Sequence, residues 1–96
     1  MKILALEHEF PDATDEGFQQ YARDEARKIW ELVKHGVIRE SYFRVDRTEA
    51  IFVLECQSVE EAQEALSALP FVQNKLIMFE LIPLKAYSGF ERLFMN

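Results

Sequence analysis

Hydrophobic positions along the chain change period several times, and each change marks an element. Lys2 to Glu9 alternates weakly and is rich in aliphatic residues, which predicts a strand ended by Phe10-Pro11. From about Asp15 to His35 the period lengthens to that of a helix. Phe18, Tyr21, Ala22, Ala26, Ile29, Trp30 and Val33 share one side, and Gln19, Arg23, Arg27 and Lys34 the other. Asp12 or Thr14 is placed to cap its start, and Gly36 to close its end in the left-handed conformation. Val37 to Val45 returns to a strand pattern, Asp46-Arg47-Thr48-Glu49 reads as a turn, and Ala50 to Gln57 completes a hairpin. Ser58-Val59-Glu60-Glu61 has the form of a capping box. The helix it opens presents Val59, Ala62, Ala65, Leu66 and Leu69 and stops before Pro70. Leu76 to Leu84 is the last strand, closed by Pro83. The order β-α-β-β-α-β predicts an α+β protein of ferredoxin-like architecture, an antiparallel sheet with both helices on one face.

If the helices cover one face, strand parity names the residues of the other. A turn centred on Arg47-Thr48 sets Val45 opposite Ala50, Tyr42 opposite Val53 and Glu40 opposite Glu55. Ser41, Phe43, Phe52, Leu54 and Cys56 then share the helix side. The open side collects Glu40, Tyr42, Arg44, Ile51, Val53 and Glu55, with Met78, Glu80 and Ile82 from the last strand and Ala5 and Glu7 from the first. Charged groups mixed with aliphatic ones fit a sheet that closes against a second sheet.

Length and charge narrow the field of partners. A chain of 96 residues makes a single domain, 1–96, and buries a modest share of its surface, so a second copy is a natural source of further burial. With 49% hydrophobic residues and no apolar run long enough to cross a bilayer, the expectation is a cytoplasmic protein without membrane contact. The N-terminal residues reach Glu7, His8 and Glu9 before any signal core develops. A net charge of −6 argues against nucleic acid, whose phosphates require a positive face. The single cysteine, Cys56, lies in an apolar strand and reads as a buried thiol. No ligand spacing suggests a metal, and glycine-rich phosphate loops are absent.

Several segments taken in order resemble the muconolactone isomerase family. They are Gly36-Val37-Ile38-Arg39, the hairpin ending Val53-Leu54-Glu55, the helix opening Ser58-Val59-Glu60, Leu69-Pro70, and the closing Phe79-Glu80-Leu81-Ile82-Pro83-Leu84. The likeness covers the second half of the chain. Glu40, Phe43 and Val72-Gln73-Asn74 depart from the family pattern, which has a histidine, an arginine and an aromatic-proline pair there. The resemblance implies a dimeric α+β barrel, a homodimer or a larger ring of dimers. It also implies an intramolecular proton shift in an unsaturated lactone, carried out without metal or cofactor.

Such a shift needs a base near a carbon acid and a group to hold the developing enolate, with the base pKa raised by burial. Glu80, which coincides with the family's glutamate before its Pro-Leu, is the expected base or proton carrier. Tyr42 is placed to donate to an enolate oxygen and Arg44 to neutralise a substrate carboxylate. Glu40 and Glu55, set opposite each other, would share a proton, and with Val53, Met78 and Tyr87 they complete the expected surroundings of a small hydrophobic organic acid or lactone. A structural salt bridge from Arg44 to Glu55 or Glu80 weighs equally.

His8 shares parity with Leu4 and Leu6 and is expected toward the helix side or at the strand end, as a structural group. His35 sits where a cation favours the helix end. Trp30 and Tyr21 are expected in the core. After Pro83, residues 85–96 form a tail in which Ser88-Gly89-Phe90-Glu91 can open one more turn. Its apolar stripe, Phe90, Leu93 and Phe94, is expected on a partner subunit, over the pocket mouth or on its own domain. Beside the isomerase stand two alternatives, a non-catalytic dimer that binds a small molecule or only packs, and a cofactor-free oxygenase of the same architecture.

Overall fold

A computed structural model describes residues 1–95. Its elements are β1 (Lys2–Glu9), α1 (Asp15–Lys34), β2 (Ile38–Phe43), β3 (Ala50–Glu55), α2 (Val59–Ser67), α3 (Pro70–Gln73) and β4 (Ile77–Pro83). A 3-10 turn follows at Gly89–Leu93. The four strands form one antiparallel sheet in the order β2-β3-β1-β4. This is the ferredoxin-like α+β arrangement that the element order predicts.

Local chemistry sets the helix ends. The Thr14 side chain accepts from the Gly17 N–H at 3.1 Å to start α1. Gly36, at φ 77°, follows its end. Ser58 accepts from the Glu61 N–H at 3.1 Å, while the Glu61 carboxylate reaches back to the Gln57 N–H at 2.9 Å, one residue before the cap. The Leu-Pro stop of α2 is also a start: Pro70 is the first residue of the short helix α3, where its missing N–H costs nothing.

The core lies between helices and sheet. Ile3, Ala5, Phe52, Leu54, Ile77 and Phe79 meet Ala62, Leu66 and Leu69 there, all buried. Ala5 is flanked by Phe52 on β3 and Leu81 on β4, and the Phe52 and Phe79 rings lie 5.6 Å apart. That lateral bulk fills the space above Ala5, so a small residue suffices at a wholly buried position.

This packing reverses the expected parity of β1. Ala5 and Glu7 belong to the helix face, and Leu4, Leu6 and His8 to the open one. Ile3, Ala5 and Glu7 on one face and Leu4, Leu6 and His8 on the other are each two-thirds apolar, and the larger leucines are outward because the aromatic rings of neighbouring strands already occupy the inner layer. The hairpin register is also corrected. Phe43 pairs with Ala50, Tyr42 with Ile51 and Glu40 with Val53, and a bulge separates Glu40 from Ile38. The strands end at Phe43 and Ala50, so six residues, Arg44 to Glu49, connect them in place of the expected four, and the Arg44 N–H donates to the Glu49 carbonyl at 3.0 Å across the base of the loop. A shift of two preserves the faces, so Ser41 and Phe43 keep the helix side, yet it separates Glu40 from Glu55.

The positive φ of Gly36 carries a prediction. Gly36→Ala leaves ordinary space around the new methyl, 3.7 Å from the Arg39 guanidinium, and costs about 1 kcal/mol through backbone strain alone. Urea unfolding of the variant should show a lower midpoint with an unchanged slope.

Candidate functional site

Two acidic residues occupy positions that the pattern reserves for apolar ones. On β1, Glu7 follows Ile3 and Ala5 on the helix face and lies buried beside Phe79 of β4. On α1, Glu25 falls in the stripe Phe18, Tyr21, Glu25, Ile29 and Leu32, and is the one buried residue of that helix. Its carboxylate accepts from the Phe71 N–H at 2.9 Å. Phe71 carries the first N–H of α3, whose cap residue Leu69 offers no side-chain acceptor, so Glu25 caps α3 from a different helix. The Phe18 and Phe71 rings, 5.1 Å apart and nearly perpendicular, hold the two helices together beside that bond.

Both carboxyls line one cavity of about 530 Å³ between α1 and the β2–β3 half of the sheet. A second stripe of α1, Ala22, Ala26, Trp30 and Val33, forms one wall, and Ser41, Phe43, Ala50 and Phe52 form the other. Tyr42 borders it at the sheet edge. The volume suits a small organic molecule. Trp30 is therefore not a core residue: it is 59% exposed and borders the cavity. Tyr21 does pack against the core, half-buried.

Burial governs the protonation of the pair. Desolvation pushes Glu7 from the ordinary 4.5 up to about 7, opposed by the Ala50 N–H and assisted by the charges of Glu9, Glu25 and Glu49. Desolvation also raises Glu25, opposed by the Phe71 N–H. The cavity thus offers two carboxyls that burial biases toward the protonated form, each with one backbone donor that opposes the shift.

The residues singled out from sequence are dispersed. Tyr42, Ile51, Leu6 and Glu80 lie in one transverse row of the open face, so Tyr42 and Glu80 stand three strand spacings apart, roughly 14 Å. Glu80 lies 3.0 Å from His8 Nε2, which corrects the expected helix-side placement of His8. Tyr42 donates to Glu40 at 2.6 Å. Arg44 grips Asp46 through two bonds of 2.8 and 2.6 Å in the turn. Glu55 meets the N-terminal amino group at 2.6 Å, which holds its carboxyl below the usual range. Val53 and Met78 lie on the open face. Tyr87 lies in the tail against Phe90, their rings 5.0 Å apart. Of these residues only Tyr42 borders the cavity. Sequence pattern does not bring out Glu7 and Glu25, because β1 alone leaves its parity open and the apolar stripe of α1 runs equally well through Ala22 and Ala26. The available signal was a lone acid at helical spacing between Tyr21 and Ile29.

The fold defines a class: a small α+β domain of the muconolactone isomerase fold. Among solved structures, muconolactone isomerase itself superposes with a TM-score of 0.75 at 20% identity, covering 93% of each chain. A second neighbour is 5-chloro-2-hydroxyhydroquinone dehydrochlorinase (TftG) from Burkholderia phenoliruptrix AC1100, solved with 2,5-dihydroxybenzoquinone. It gives a TM-score of 0.67 at 15% identity over 93% of this chain and 98% of that one. No family model and no curated protein matches the sequence. Among the described residues, no helix is long and apolar enough to cross a membrane.

The raised Glu7 fixes the sign of a pH effect. Between pH 4.5 and 7 the native state keeps a proton that the unfolded chain releases, so stability falls as pH rises through that window, by on the order of 2–3 kcal/mol. Glu7→Gln should flatten this dependence and be more stable than wild type at pH 8, as read by urea midpoints at pH 4.5, 6 and 8.

Proposed function

We infer that this chain is a muconolactone isomerase-like enzyme that shifts a proton within a small unsaturated lactone or keto compound, and that the cavity under α1 is where it does so. One observation carries the reading: two buried carboxyls with raised pKa face a single apolar cavity inside this fold. A 1,3-shift needs such a pair, since one group must accept a proton while another gives one.

The roles follow from the environments. Glu25, whose anion is stabilised by the Phe71 N–H, takes the proton from the carbon next to the substrate carbonyl. The released electron pair moves into the conjugated system as a dienolate. Glu7, still protonated near neutrality, delivers its proton two carbons further along, and the double bond settles between them. The exchange leaves Glu25 protonated and Glu7 ionised, and proton transfer between the two or with water restores the start. Tyr42 at the cavity edge is a hydrogen-bond donor for the enolate oxygen once it turns from Glu40. Glu80 on the open face remains the competing candidate for the base, with Arg44 as its partner in that version.

A homodimer belongs to the same reading. Leu4, Leu6, Ile51, Val53 and Ile82 form an apolar centre on the open face. Around it lie the paired groups His8–Glu80, Tyr42–Glu40 and Glu55 with the amino terminus. An apolar centre with a satisfied polar border suits a second copy. The tail supports it too: Tyr87, Phe90, Leu93 and Phe94 are all exposed, Phe94 at 83%, so their apolar area is available to a partner subunit or its cavity mouth.

Two experiments test this. Deuterium exchange and isomer conversion on a panel of unsaturated lactones and keto acids should fall 10²–10⁴-fold in Glu7→Gln and in Glu25→Gln and stay near wild type in Glu80→Gln. Loss confined to Glu80→Gln would move the chemistry to the open face. Thermal stabilisation by a panel member without turnover would indicate a binding protein. Separately, Val53→Lys should turn a sedimenting dimer into a folded monomer, since it sets an unpaired charge at the centre of the proposed interface.

A further inference from the structure

The charge of the cavity limits what can enter it, and this step rests on the cavity being the functional site. Among the described residues, no lysine, arginine or histidine lines it. Its charged or chargeable groups are Glu7, Glu25 and, at the edge, Tyr42, whose hydroxyl is bonded to Glu40. The arginines of the β2–β3 turn are engaged: Arg44 is held by Asp46, and Arg47 Nε lies 2.9 Å from Glu49. The remaining wall is alanine, isoleucine, valine and aromatic rings, with Ser41 as the one hydroxyl apart from Tyr42.

A substrate carboxylate would therefore enter an apolar space holding two carboxyls and no cation. Like charges in a partly desolvated site oppose each other strongly. The net charge of −6 adds a long-range field of the same sign. By contrast, a ring with carbonyl or hydroxyl groups carries no charge for the two carboxyls to oppose, can donate its hydroxyls to them, and has Trp30 and Phe43 against which to lie.

We propose that the ligand of this cavity is an uncharged, unsaturated oxygen-bearing ring without a carboxylate, so that of the organic acid or lactone expected from sequence only an uncharged lactone or its like is admitted. The specificity lies in Glu7 and Glu25 themselves, which serve the reaction and exclude acids.

The test uses a matched pair, muconolactone and its methyl ester, which share a ring and differ by one charge. Trp30 is the single tryptophan of the chain and borders the cavity, so its fluorescence reports occupancy directly. At pH 7.5 the ester should quench Trp30 with a Kd at least tenfold lower than the free acid. Glu7→Gln and Glu25→Gln, made separately so that a folding failure of one leaves the other, should each narrow the gap by tightening the acid. Acid binding equal to or tighter than the ester, reported by Trp30, overturns the proposal while leaving the cavity as the site. So does acid binding that is lost in the tail variant Lys85→Ala/Arg92→Ala, because it would place a cation over the mouth. Absence of quenching by both compounds overturns the proposal together with the cavity reading.

Discussion

One hydrogen bond organises the site: the Phe71 N–H donating to Glu25. Pro70 starts α3 without a donor of its own, and Leu69 offers no cap, so Phe71 presents an orphan N–H to the interior. Glu25 satisfies it from α1, and the Phe18–Phe71 ring contact closes around the pair. The longest helix is thereby fixed to the shortest at one end of the sheet. β2 is an edge strand, and its Ser41 and Phe43 point to the helix side yet stay exposed, facing α1 across the cavity. The cavity is the space between these two conditions. A buried carboxyl with only one hydrogen-bond donor is incompletely compensated, and the deficit appears as its raised pKa.

The two faces of the sheet treat charge in opposite ways. On the open face each acid has a partner close by: His8 for Glu80, the amino terminus for Glu55, the Tyr42 hydroxyl for Glu40. These groups are largely exposed, and the shifts there follow from direct partners, downward for Glu55 and upward for Tyr42. Under α1 the acids have backbone donors and no cation. Clustered charges alone do not separate structural pairing from chemistry, whereas acids raised by burial around a cavity are the arrangement an acid-base site requires. That distinction gives Glu7 and Glu25 precedence over Glu80.

The chain carried its architecture in signals of short range. Caps at Thr14 and Ser58, the glycine after α1, the Leu-Pro break and the hairpin pattern each follow from chemistry within a few residues, and the element order then admits few topologies. The site depended on long-range geometry. Whether Ala5 or Leu6 faces the helices is decided by Phe52, Leu81 and Phe79 on neighbouring strands, information that the sequence of β1 lacks. The two-residue shift of the hairpin register likewise dissolved the expected pair of carboxylates, setting Glu40 opposite Val53 instead of Glu55. The faces of the hairpin survived because its shift was even; its partnerships did not.

Glu7 and Glu25 break the binary pattern at two places that converge in space. Each would be an isolated error on its own element, an acid in the inner face of a strand and an acid in the inner stripe of a helix. An apolar residue at position 7 would remove a desolvation cost, and at position 25 it would remove that cost while leaving the Phe71 N–H without its acceptor. The two violations instead share one cavity with a wall of small residues, Ala22 and Ala26, that keeps it open beside Trp30. Local rules are broken at the expense of stability mainly where function requires it. Independent violations would have no reason to meet, and their meeting is the strongest physical argument that this space has a chemical purpose.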